Sequence, residues 1–131
     1  MVQLDIRTTQ RTEFVAVTDR VQSAVEESGV QDGLCILYVP HTTAAVTINE
    51  NADPSVQADI ISALKKIIPD SWPYKHLEGN SPAHIKASLI GSSVAIIIEG
   101  GDLVLGTWQG IFFCEFDGPR NRRVYVKVIA G

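Results

Sequence analysis

Three short runs, Leu34–Val39, Val94–Ile98 and Ile111–Phe116, are apolar at nearly every position. A strand turns successive side chains to opposite faces, so a run without alternation is apolar on both sides and needs cover on both. The chain has 131 residues, enough for one domain with one sizeable core. It offers only one long helix to cover those faces. Either the strands form a sandwich that covers itself, or a partner subunit covers what the helices leave bare.

The remaining elements follow from pattern and punctuation. Val2–Thr8 alternates and reads as a strand, and Thr12–Val17 as a second, with a hairpin between them. Thr18 is placed to cap a helix over about Asp19–Ser28, which Gly29 stops. Leu34–Val39 and Ala44–Ile48 are strands. Asp53-Pro54 opens the long helix, because Asp caps and Pro fits a first turn whose N–H groups are unpaired anyway. Val56, Ile60, Ile61, Leu64, Ile67 and Ile68 form its apolar stripe, and Pro69 ends it. After an aromatic loop, Asp70–Gly79, Ser81-Pro82 opens a shorter helix with Ile85 and Leu89 on its expected inner face and Gly91 at its end. Ser93–Ile98, Leu103–Leu105, Gly110–Phe116 and Arg123–Ile129 complete the strands, the last two joined by the DGPRN turn. In the last strand Val124, Val126 and Val128 face one way, and Arg123, Tyr125 and Lys127 the other. The fold class expected is α+β: a largely antiparallel β-sheet or sandwich with inserted helices.

Composition narrows the function classes. A net charge of −4 disfavours bulk binding to nucleic acid. No apolar run reaches the ~18 residues of a membrane span, and the first residues lack a signal-peptide pattern. Two cysteines, Cys35 and Cys114, sit in apolar runs and read as buried free thiols rather than a disulfide framework. These features together point to the cytoplasm, with no membrane and no nucleic-acid partner.

The chemistry-bearing residues gather around strand ends and helix starts. There are three histidines: His41 at a strand end, His76 in the aromatic loop and His84 in the first turn of the short helix. Together they can hold zinc or another divalent metal with an open position, or serve as acid, base and phosphate donor. The spacing does not choose between these. Glu50, beside Asn49, is placed to bind Mg²⁺ or orient an imidazole. Asp59 lies at the edge of the long helix's stripe. Glu115 interrupts an apolar strand and needs a partner, for which Arg123 on the following strand is the candidate. Thr107 and Gln109 supply neutral donors, and Lys86 and Arg120 cationic ones.

Three stretches, HTTAAVTINENADP, HLEGN with AHIKAS, and LGTWQGIFFCEFDGPR, occur in this order over nearly the whole chain. In them the sequence resembles the YjbQ family. The resemblance implies an α+β fold, a homotrimer and a thiamine-phosphate synthase activity. In that reaction a pyrimidine methyl pyrophosphate couples to a thiazole phosphate and pyrophosphate leaves. The site expected from residues and resemblance together has His41, His76, His84, Glu50 and Gln109 as catalytic groups. Asn49, Asp59, Thr107, Lys86 and Arg120 are the expected contacts to a small phosphorylated substrate. A divalent metal, Mg or Zn, is an expected cofactor, with the three histidines as candidate ligands. Two other readings stay open: a metal-dependent hydrolase at the His site, and a non-catalytic trimeric protein that binds a metal or anion.

Overall fold

The computed structural model describes residues 1–131. Its elements run β1 (Val2–Arg7), β2 (Glu13–Ala16), α1 (Thr18–Ser28), β3 (Gly33–Tyr38), β4 (Ala44–Glu50), α2 (Pro54–Ile67), α3 (Ser81–Ile90), β5 (Ser93–Glu99), β6 (Asp102–Leu103), β7 (Gln109–Glu115) and β8 (Asn121–Ala130). The strands form a five-stranded sheet, β1-β8-β3-β5-β6, and a three-stranded sheet, β2-β7-β4. Every pairing is antiparallel, so the α+β sandwich with inserted helices is as expected. The hairpins are not. β1 and β2 lie in different sheets, and so do β7 and β8; only β5 and β6 are both consecutive and paired.

Two cores follow from this layering. The first lies between the sheets and takes in Leu37, Val46, Phe113 and Val126, with Val21 and Val25 of α1. The second lies on the other face of the small sheet, where Phe112, Cys114 and Phe116 meet Leu64 of α2 and Ala83 and Ala87 of α3. β7 is therefore buried on both faces, as its unbroken IFFC run requires. β3 and β5 are not: Leu34, Tyr38 and Ile97 are exposed on the outer face of the large sheet. No helix of the chain is long and apolar enough to cross a membrane.

Local chemistry explains most helix ends. Asp53 caps α2 by accepting from the Ser55 N–H at 2.9 Å. Gly29 closes α1 in the left-handed conformation, at φ 72°. Thr18 does not cap α1; its hydroxyl accepts instead from the N–H of Ile111 at 2.9 Å and ties the helix to β7. In α3 the inner face is Ala83, Lys86 and Ala87, whereas Ile85 and Leu89 are exposed. Small residues let α3 lie close to β4 and β7, which the larger pair would prevent.

One buried ion pair links the two sheets. Glu115 ends β7 and is fully buried; its partner is Arg122 of β8, not Arg123. Glu115 accepts from Arg122 Nε at 2.9 Å, from Arg122 Nη2, from the Thr8 hydroxyl at 2.7 Å and from the Asp117 N–H at 3.0 Å. Arg122 also donates to the Thr43 hydroxyl at 2.8 Å. The connection between these residues passes so close that a Cβ on Gly118 would lie 2.3 Å from the Gln10 carbonyl oxygen. Burial alone would push the Glu115 carboxyl's pKa up, but these hydrogen bonds and the guanidinium together hold it below the ordinary value. Removing one partner strands a buried charge. Arg122→Ala is expected to cost about 3–5 kcal/mol in urea unfolding, and the double replacement Glu115→Gln/Arg122→Met less.

Candidate functional site

The same end of the sandwich carries the polar groups. Pro40–Thr43 connect β3 to β4, the 71–80 loop leads into α3, and residues 116–120 connect β7 to β8. Between them lies a depression of about 360 Å³ in whose lining Pro40 alone lacks a polar side chain. His41, His76 and His84 all line it, with Arg120, Asn80 and Asp117. A second depression, of about 380 Å³, adjoins it across His41, Thr42 and His84 and adds Ala44, Ala87, Ser88 and Ser92. His41 and His84 thus stand at the boundary between a mostly polar hollow and a mixed one, and His76 lies within the polar one.

His41 is held by a backbone group of β8. His41 Nε2 accepts from the N–H of Arg123 at 3.0 Å, which leaves Nδ1 to carry the proton of the neutral ring. His76 and His84 meet edge to face, with ring centroids 5.1 Å apart. Asp117 accepts from Arg120 at 2.9 Å and from Asn80 Nδ2 at 2.9 Å. Asn80 precedes α3 but makes no capping bond. Its Nδ2 is committed to the carboxylate, so its Oδ1 is the buried atom without a hydrogen-bond partner. An unpaired buried acceptor is unfavourable, and this one lies in the wall of the polar hollow.

The structure divides the expected site. Arg120 joins the three histidines, but the other expected residues lie elsewhere. Glu50 pairs with Gln109, and Asn49 with Gly110, at the far end of the small sheet. Six residue steps of β4, at about 3.4 Å each, put them about 20 Å from the His41 end. There Gln109 is engaged with the Gly106 N–H at 2.7 Å, and Thr107 is exposed beside it. Asp59 is an exposed residue of α2, and Lys86 opens onto a different cleft. The strand expected over Ala44–Ile48 already separates His41 from Glu50; the register of β7 against β4 decides that Gln109 joins Glu50. Asn80 belongs to the site without having been singled out from sequence; its role depends on a contact with Asp117 of a distant segment. The expected three-histidine metal centre does not fit one chain: no group of three or more His, Cys, Asp or Glu side chains is placed to hold an ion. His41 Nε2 is taken by a backbone N–H, and Glu50 and Asp59 are too remote to complete a set.

Comparison with known proteins agrees with this architecture. The family model described as "UPF0047 protein YjbQ-like" matches residues 2–131. A UPF0047 protein of Methanocaldococcus jannaschii is 58% identical over 129 residues, covering 98% of this chain and 94% of the relative. The UPF0047 protein YugU of Bacillus subtilis is 47% identical, covering 96% of each. The crystal structure of a YjbQ/UPF0047-family protein from Clostridium acetobutylicum superposes with a TM-score of 0.97 at 56% identity, covering 98% of this chain and 100% of its own. A YbjQ-like protein of unknown function from Sulfolobus solfataricus superposes at 0.95 with 34% identity, covering 99% and 96%.

The environment of His41 sets a pH dependence. Burial, then the Arg122 and Arg123 cations, hold its imidazole below the usual value, against the opposing carboxylate of Glu115. The unfolded chain therefore binds this proton at about pH 6.5 while the folded chain does not. Stability from His41 is complete above that value and falls as pH drops below it. Glu115, with its depressed pKa, loses its contribution below about pH 4.3. Urea midpoints are expected to be flat near pH 7 and to fall as the pH drops below about 6.5. His41→Gln should flatten that first decline and leave the one near pH 4.

Proposed function

We propose a function from one premise: the chain belongs to the UPF0047 family of YjbQ-like proteins. The reading is that it transfers a small heteroaromatic methyl group from a diphosphate, in the manner of a thiamine-phosphate synthase. What carries the reading is the pair of adjoining hollows with three histidines at and around their boundary. Each hollow is at the small end of ligand-site volumes, so two compact substrates suit them better than one large one.

In this reaction the pyrimidine's exocyclic carbon–oxygen bond breaks and its electron pair leaves with pyrophosphate. The thiazole nitrogen supplies the lone pair of the new carbon–nitrogen bond. The protein's task is to stabilise charge on the leaving group. The more polar hollow takes the diphosphate, with Arg120 and the N–H groups of His76 and His84 as donors. A protonated imidazole there also serves as general acid to the departing oxygen. The mixed hollow, between Ala44, Ala87 and Ser92, takes the ring. Neutral His41 offers one N–H donor at the junction. The free buried thiols Cys35 and Cys114 suit a reducing compartment, and we place the protein in the cytoplasm.

We assign a homotrimer to the assembly. Leu34 is the register partner of both Ile97 and Ile129, and the three are exposed by 42%, 59% and 43% on the outer sheet face. Such a contiguous apolar patch favours cover by another copy.

Two experiments test these readings. With both phosphorylated precursors and Mg²⁺ present, the wild-type protein should form thiamine phosphate, and His84→Ala should lower the rate by ~10²-fold or more. Equal rates remove His84 from catalysis, and no product from the wild type favours the binding-protein reading. Light scattering at micromolar concentration should give the mass of three chains. Ile97→Lys should shift it toward one chain, and a wild-type mass of one chain overturns the assembly.

A further inference from the structure

We infer that the cleft between α2 and α3 is a second ligand site, for a compact phosphate monoester, with Lys86 as its central cation. The cleft holds about 200 Å³ and is lined by Arg11, Lys65, Lys86 and Asp70 over Ile61, Leu64 and Phe116. Lys86 and His84 both belong to α3, two residues apart and thus about 200° around the helix. The helix is therefore a wall with the histidine hollow on one side and this cleft on the other.

Lys86 is the unusual member. It is only 6% exposed, yet it takes part in none of the chain's ion pairs. Its stem is buried while its ammonium reaches the cleft, so the charge stands in the cleft wall without an ion-pair partner and is available to an anion. Arg11 comes from the β1–β2 connection and Lys65 from α2, so three separate segments each bring a cation to one place. Asp70 is the single carboxylate among them. The excess of two positive charges, three cations less one anion, matches a phosphate monoester dianion. It also stands against an overall charge of −4. Burial, and after it the like charges of Arg11 and Lys65, lower the pKa of Lys86, while Asp70 opposes this; a bound dianion relieves both effects. The apolar floor suits a small ring or alkyl body attached to the phosphate.

The site is independent of the histidine chemistry, and its test reads it directly. Phenyl phosphate and inorganic phosphate are titrated into the full-chain protein at low salt. Methyl resonances of Ile61 and Leu64 serve as reporters inside the cleft. Phenyl phosphate should shift them saturably in the wild type and equally in His84→Ala. It should bind about tenfold or more tightly than inorganic phosphate, because a ring is buried. Lys86→Met should weaken binding about tenfold or more, the loss expected for a charge-assisted contact. Lys65→Gln and Arg11→Gln, both at exposed positions, should weaken it several-fold and keep the test valid if Lys86→Met does not fold. Unmoved cleft methyls, or unchanged affinity in all three cation variants, would overturn the site.

Discussion

The ion pair between Glu115 and Arg122 is the contact on which this end of the molecule depends. It joins the last residue of β7 to the second residue of β8, and these strands belong to different sheets. A carboxylate buried this deeply is tolerable only when its oxygens are fully engaged. Thr8, Asp117 and Arg122 engage them, and each comes from a different connection or strand. Each oxygen accepts from two donors, and losing Arg122 leaves the buried carboxylate without its counter-charge, so the pair acts as a clamp rather than as a gain in net stability.

The candidate site hangs from that clamp. Arg122 is followed by Arg123, whose N–H orients His41. Glu115 fixes the Asp117 N–H, and Asp117 in turn holds Arg120 and Asn80. The backbone around Gly118 threads through this cluster with no room for a Cβ. Positioning is thus delegated to groups beneath the site, which frees the imidazoles and Arg120 for a ligand. Such support is what keeps polar side chains within the tolerance that chemistry needs.

α3 extends the same economy. Its small inner residues let it lie against β4, and its two flanks face different hollows. His84 looks onto the polar depression, and Lys86 onto the cationic cleft. A chain that is acidic as a whole therefore concentrates positive charge in one confined place, the cleft of Arg11, Lys65 and Lys86. Local charge in a low-dielectric cleft, rather than net charge, decides what binds there.

Much was legible in the sequence for local reasons. Strand runs, the Asp53-Pro54 helix start, the Gly29 stop and the buried IFFC strand each depend on neighbours a few residues away. Membership of the YjbQ-like family was legible too, in three motifs, and with it the α+β class. Tertiary structure alone decided the rest. Hairpins expected from adjacency gave way to pairings such as β1 with β8, because register across a sandwich is set by which faces can be buried together. The length of β4 put Glu50 at the end of the small sheet away from His41, and register put Gln109 beside Glu50. The choice of pairings replaced Arg123 by Arg122 as the partner of Glu115, since side chains one residue apart on a strand face opposite sides. It turned Ile85 and Leu89 outward and Lys86 inward, because α3 packs by closeness of backbone rather than by hydrophobicity alone. Residue types and local periodicity are properties of the chain, but which distant groups share a hollow is a property of the packed sheets.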